Sequence, residues 1–281
     1  MNEIKNKKYD VERALYNLKD TKVINCQFSG KQDGESVLKE TRNIIVDSCF
    51  FELRYPLWHS LQFEVLNSKF NEFSRAPIWY SSNGKINKCD INVIKALREC
   101  SDIFIQNSNI KSCEFGWKCN DIYVSNSNLE GEYAFLDSKN IKLNNVNFNG
   151  KYSFQYIDNL LIEDSIINTK DAFWHSNNVI VKNSIIKGEY LAWYSKNVEL
   201  INCKIIGTQP FCYCENLKLV DCEMIDTDLA FEYSSVNAFI KGSVCSIKNP
   251  SSGYIEVDSV DEIITEDSII PSICVIKIRN K

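Results

Sequence analysis

Two histidines and a few acids are the residues of this chain that could move protons. His59 and His175 each follow a tryptophan, in Trp58-His59 and Trp174-His175. Imidazole titrates near neutral pH, so either ring could act as a general base. Glycoside hydrolysis would instead need two carboxyls about 5–9.5 Å apart. Asp226 and Asp228 are the best such pair, because residues two apart in an extended chain lie about 7 Å apart. Asp171, close to His175, is a further candidate acid. Each has a plainer reading: a solvated turn for Asp226 and Asp228, and for His175 a surface ring packed between Tyr156 and Tyr194.

Thiol chemistry is the other option for a chain with 12 cysteines. No Cys-x-x-Cys occurs, and the best ligand set would be Cys212 and Cys214 beside Cys203 and Cys222. Most cysteines, however, share repeat columns with serine. Cys26, Cys89, Cys203 and Cys222 align with Ser48, Ser68, Ser108 and Ser127. Small buried side chains interchange in that way. No metal and no other cofactor is expected, and the thiols should be reduced, as in the cytoplasm.

The formal charge of −5 excludes the basic footprint that nucleic acid requires. The first residues, Met1-Asn2-Glu3-Ile4-Lys5-Asn6-Lys7-Lys8, form no apolar targeting segment, and no apolar run approaches about 18 residues. The expectation is a soluble, cytoplasmic protein with no nucleic acid or membrane partner.

What would position these side chains is a repeat. An Asn or Asp followed by a small residue recurs at Asn107-Ser108, Asn126-Ser127, Asn145-Val146, Asp164-Ser165, Asn183-Ser184, Asn202-Cys203 and Asp221-Cys222, every 19 residues. Ahead of each marker stand alternating aliphatics, such as Ile103/Ile105, Val179/Val181 and Leu217/Leu219. Two residues after its second member comes another apolar column, from Ile91 and Ile110 to Ile205 and Met224. A third run, rich in aromatics, completes the period. Three short strands and three bends per coil describe a solenoid, in which each coil buries its apolar face on its neighbours. Asn and Asp tolerate the left-handed conformation that a sharp bend demands. Parallel crossovers are overwhelmingly right-handed, so the reading is all-β, a single-domain right-handed parallel β-helix over residues 1–281 with about twelve coils. Early markers fall at Cys26, Ser48, Ser68 and Cys89, with regular coils over about 10–242 and irregular last coils with a C-terminal cap over 243–281.

Several runs carry a family resemblance: Arg54-Tyr55-Pro56-Leu57-Trp58-His59, Lys151-Tyr152-Ser153-Phe154-Gln155-Tyr156, Asp171-Ala172-Phe173-Trp174-His175 and Glu189-Tyr190-Leu191-Ala192-Trp193-Tyr194-Ser195. The chain resembles, over nearly its whole length, a bacterial family of unknown function grouped with the pectin-lyase-like β-helices. The resemblance implies the fold and brings no catalytic residues with it.

Strand alternation in the third run divides its side chains into two faces. Trp117, Trp174 and Trp193 fall on the inner one, in a column that also holds Arg98 and Gln155. The charged set falls outside, so the binding candidates are Tyr133, Tyr152, Phe154, Tyr156, Asp171, Phe173, His175, Tyr190, Tyr194 and Tyr213. An exposed aromatic and acidic face of this size suits a homo-oligomer or partner interface, as do the open helix ends. It would also suit a glycan, whose rings stack on aromatic faces. Coils this short leave no long loops to wall a cleft. The reading therefore favours a non-catalytic scaffold over a carbohydrate-binding or carbohydrate-active protein of the polysaccharide lyase or glycoside hydrolase kind.

Overall fold

Short alternating aliphatic runs become parallel strands throughout the described residues, 1–279, of the computed structural model. The backbone forms two units, Met1–Lys142 and Leu143–Lys281, divided within the strand Lys139–Lys151. Each unit is a parallel β-solenoid that advances one strand per turn. Among the described residues the only helical element is the 3₁₀ turn Glu72–Ser74.

In the second unit, the strand Asn177–Lys182 pairs in parallel with Asp158–Glu163 on one side and Lys196–Ile201 on the other. Val179 and Val181 point inward, in register with Leu160 and Ile162 and with Val198 and Leu200. Asn183 bends the chain, and in the second strand, Ile185–Lys187, Ile186 is buried between Ile167 and Ile205. Each such side chain contributes about 1.5–3 kcal/mol on full burial. The columns continue from turn to turn and form the core. In the first unit the second-strand column includes Phe28, Phe51 and Phe70, stacked at 4.7 and 4.4 Å.

The marker Asn and Asp residues are left-handed as expected. From Asn107 through Asp221 their φ lies between 49° and 54°. Left-handed residues form side-chain ladders within each unit: Asn202 donates to Asn183 (3.1 Å) and Asn183 to Asp164 (3.3 Å), and in the first unit Asn25 donates to Asn6 (2.7 Å). A second column of the same period, Asp102, Asp121, Asn140, Asn159, Asn178, Asn197 and Asn216, is left-handed too. It bulges from the start of the first strand, where Ser101 pairs with Asn120 and Ile103 with Ile122.

The serine and cysteine columns have a specific task. Backbone N–H groups at the bends donate to the small side chain one turn on, from Cys89 to Ser108 Oγ (3.1 Å), Ser165 to Ser184 Oγ (3.0 Å) and Cys100 to Cys119 Sγ (3.4 Å). Either Oγ or Sγ can accept there. Ser48 is one residue out of this column. Cys49 occupies it, accepting from Cys26 N and donating its own N–H to Ser68 Oγ, while Ser48 takes the left-handed position that Asn25 holds one turn earlier.

The turns number about 15, not twelve. The first begins at Asn2–Lys5, ahead of residue 10, and parallel pairing continues after 242. There Ser235–Lys248, Ser252–Ile264 and Val275–Ile278 pair in parallel, with a register shift between Ile240 and Ser243. Backbone pairing needs no particular side chain, so it persists where the 19-residue marker lapses.

Candidate functional site

The third side of the turn is where strand alternation misleads. In the second unit, alternate residues are left-handed: Tyr152, Phe154 and Tyr156, then Asp171, Phe173 and His175, then Tyr190, Ala192 and Tyr194, with φ from 52° to 62°. Each such L-residue costs roughly 1–2 kcal/mol. Backbone hydrogen bonds to both neighbouring turns offset this, from Asp171 N to Glu189 O (2.9 Å), Phe173 N to Ser153 O (3.0 Å) and His175 N to Trp193 O (3.0 Å). The first unit keeps short parallel strands on this side, at Leu57–Trp58, Ile78–Trp79 and Leu97–Arg98.

Alternating handedness turns two successive side chains inward, as in Ser153-Phe154, Ala172-Phe173 and Leu191-Ala192. Phe154 (0% exposed) and Phe173 (3%) are therefore core residues, stacked at 5.4 Å, and do not belong to a surface face. Asp171 is only 7% exposed. The tryptophan column moves the other way, from the expected interior to the half-buried surface. Trp174 Nε1 donates to Tyr190 O (2.6 Å) and Trp193 Nε1 to Gln209 O (2.9 Å). Gln155 makes the same bond to Asp171 O (2.9 Å), which accounts for an amide in this column. In the first unit Trp117 donates to Tyr133 O (2.7 Å), and the Arg98 guanidinium lies over Trp79 and Trp117 at 5.5 and 5.1 Å.

The rings that remain outside form a ladder. Tyr156, His175, Tyr194 and Tyr213 stack with centroids 5.1, 5.1 and 4.6 Å apart and planes within 10°. Tyr156 is 54% and Tyr194 45% exposed, His175 is exposed, and Tyr213 is half-buried beside them. Tyr152 and Tyr190 are half-buried on the flank, while Tyr133, in the first unit, is exposed. Each ring covers the face of the next, so the ladder presents ring edges, phenol hydroxyls and one imidazole to solvent. It continues to Tyr233, whose hydroxyl accepts from Ile269 N at 3.4 Å.

The acids do not assemble into a catalytic pair. Burial pushes the Asp171 carboxyl above its ordinary value, Lys170 opposing and Glu189 adding to the shift. Its carboxylate has no hydrogen bond or ion pair among the described residues. Asp226 is left-handed at φ 51°, and residues 226–228 lie outside any strand, so the extended spacing does not apply. His59 repeats the His175 arrangement in the first unit, stacked on Tyr80 at 5.1 Å. Among the described residues, no three His, Cys, Asp or Glu side chains are grouped to hold a metal. Burial pushes the Cys212 and Cys214 thiols to about 12, which keeps them protonated and poor as ligands.

Turn-by-turn ladders of amide, hydroxyl, thiol and ring define an all-β parallel solenoid. The chain belongs to the family described as "Protein of unknown function (DUF3737)", whose model matches residues 2–277. No curated protein matches the sequence. Similar solved structures include PfbA, a surface adhesin of Streptococcus pneumoniae, at 11% identity, 90% coverage of this chain, 72% of that one and a TM-score of 0.41. The A-module of the mannuronan C-5 epimerase AlgE4 of Azotobacter vinelandii is similar at 8% identity, covering 92% and 88%, with a TM-score of 0.44. A tailspike protein of E. coli bacteriophage HK620 is similar at 11% identity, covering 98% and 70%, with a TM-score of 0.36.

Proposed function

We propose that this protein is a non-catalytic scaffold that self-assembles through the ladder Tyr156–His175–Tyr194–Tyr213. The observation that carries the reading is the face-to-face stacking of these rings. A sugar ring needs an open aromatic face, and here both faces of His175 and of Tyr194 are taken up within the ladder. What remains is a row of ring edges that carry the hydroxyls of Tyr156, Tyr194 and Tyr213 and the imidazole of His175. Amphipathic rings of this kind are enriched at protein interfaces, burying hydrocarbon while the hydroxyl finds a partner. The setting that goes with this reading is the cytoplasm, where free thiols stay reduced.

The test is sedimentation velocity of the wild type and of Tyr194→Ala combined with Tyr213→Ala. The wild type should sediment as an oligomer and the double variant as a folded monomer. A monomeric wild type across the micromolar range, or an oligomer unaffected by the double substitution, would remove the proposal.

A further inference from the structure

Two buried thiols lie side by side in the second unit. Cys203 and Cys222 occupy the small-residue column in successive turns. Register pairs flank them on both sides, Ile201 with Val220 before and Lys204 with Glu223 after, and Glu223 N donates to Cys203 O (2.9 Å). Their Cα atoms are therefore one strand spacing apart, about 4.7–4.9 Å, within the roughly 4.4–6.8 Å that a disulfide spans. The two side chains also point the same way. Cys203 Sγ lies 3.4 Å from Val181 O and 3.3 Å from Ile201 O, and Cys222 Sγ lies 3.4 Å from Leu200 O and 3.5 Å from Val220 O.

The pair is uneven. A hydrogen bond between the thiols is the leading influence on both, lowering the pKa of Cys203 against the effect of burial and raising that of Cys222. The thiolate is the reactive form, so Cys203 is the better nucleophile of the two. Cys49, Cys89, Cys212 and Cys214, by contrast, are raised chiefly by burial. Cys203 is 1% and Cys222 0% exposed, yet both lie just beneath the surface. Exposed Asn202 and Lys204 flank Cys203, and exposed Asp221 adjoins Cys222.

We propose that Cys203 and Cys222 form a peroxide-sensitive pair that closes to a disulfide between consecutive turns of the native solenoid. The Cys203 thiolate attacks one oxygen of hydrogen peroxide. The O–O bond breaks, the departing hydroxide takes up the proton that Cys203 released, and Cys203 becomes a sulfenic acid. Cys222 then attacks the Cys203 sulfur. The S–O bond breaks, and the second hydroxide leaves as water with the Cys222 proton. Two thiols are oxidised by two electrons in all, and one peroxide is reduced to two waters. Peroxide is scarcely larger than water and reaches a thiol one residue below the surface, where a bulky alkylating reagent does not. In a reducing compartment the resting state is the dithiol, and disulfides that form there are usually transient and redox-sensing. The pair does not depend on the tyrosine ladder.

The test is peptide mapping of native protein treated briefly with hydrogen peroxide, then alkylated in denaturant without reductant and cut with trypsin. Cleavage after Lys204 and Lys218 leaves the two cysteines on separate peptides, Asn197–Lys204 and Leu219–Lys241. These should appear joined, lighter by two hydrogens than their sum, and dithiothreitol should separate them. Cys222→Ser places in the column the residue found at Ser184, and its hydroxyl remains a donor. Treated with peroxide and then unfolded into dimedone, this variant should carry a sulfenic adduct on Cys203, whereas Cys203→Ser should carry none on Cys222. Circular dichroism establishes that each variant is folded, and the wild-type peptide map carries the test alone if either is not. Absence of the joined peptides at a peroxide dose that oxidises the exposed Cys113, their appearance only in denaturant, or a dimedone adduct on Cys222 in place of Cys203 would overturn the proposal.

Discussion

The imidazole of His175 lies flat against the phenol of Tyr194, 19 residues later, with centroids 5.1 Å apart and planes within 8°. One turn of solenoid brings the two into register, and both rings stand on left-handed residues. Phe173 lies only two residues before His175 and points into the core. Neighbouring aromatics on this side therefore differ sharply in what they contribute.

Truncating the two kinds of ring should separate them. Phe173→Ala removes a buried ring stacked on Phe154 and should destabilise the fold by about 3–5 kcal/mol. Tyr194→Ala removes exposed stacking and should cost no more than about 0.5–1.5 kcal/mol for each stacked neighbour. Urea denaturation of both variants measures this. Equal losses would mean that the assignment of inner and outer rings is wrong.

Asn183 combines two demands, a φ of 50° and hydrogen bonds to Asp164 on one side and Asn202 on the other. Asn183→Leu removes both bonds and places a branched side chain in the left-handed region. With each net hydrogen bond worth about 1 kcal/mol, a loss of roughly 1–3 kcal/mol is expected. An unchanged melting temperature would contradict the structural role of the ladder.

Which features are legible in the sequence follows from how local their causes are. A left-handed bend selects Asn or Asp at that residue, so the column from Asn107 to Asp221 announces itself, and the column from Asp102 to Asn216 carries the same period. A small inward acceptor selects Ser or Cys without preference, and Ser48-Cys49 offers both side by side, which puts the register one residue out. The third side is obscured for a different reason. Bulky residues such as Phe154 and Phe173 have no intrinsic preference for positive φ, and period-two patterning does not distinguish a strand from alternating handedness. Hydrogen bonds from neighbouring turns decide it, and these belong to the stack as a whole.

Alkaline pH should expose the thiol columns. Burial holds Cys49, Cys212 and Cys214 near 12, well above an unfolded thiol near 8.5. A folded pKa above the unfolded one contributes stability in full below the unfolded value and loses it as pH rises through the folded value. Stability should therefore decline between about pH 9 and 12. Cys214→Ser places the residue found at Ser195 and Ser234 in the same column, so it should fold normally at pH 7 and show a shallower alkaline decline. A slope identical to that of the wild type would mean that this thiol does not report the transition. In native protein the exposed Cys113 should react first with a thiol reagent, and the buried cysteines only on denaturation.

Asp171 is the acid on which folding imposes the clearest penalty. It is buried at φ 52°, its carboxylate has no partner among the described residues, and burial raises its pKa, with Lys170 only partly opposing. A carboxyl raised on folding favours the native state below its unfolded value, near 3.9, and loses that contribution as pH climbs through the folded value. At pH 7 the ionised group is therefore destabilising. Asn keeps the shape, tolerates the left-handed backbone and carries no charge. Asp171→Asn should stabilise the protein at pH 7 by roughly 1 kcal/mol, raising the melting temperature by about 2–4 °C. At pH 3, where the carboxyl is protonated in both states, the two melting temperatures should converge. Thermal denaturation at the two pH values provides the comparison. A variant less stable than the wild type at pH 7 would show that the carboxylate is held by a favourable charge partner, and Asp171 would return as a candidate for chemistry.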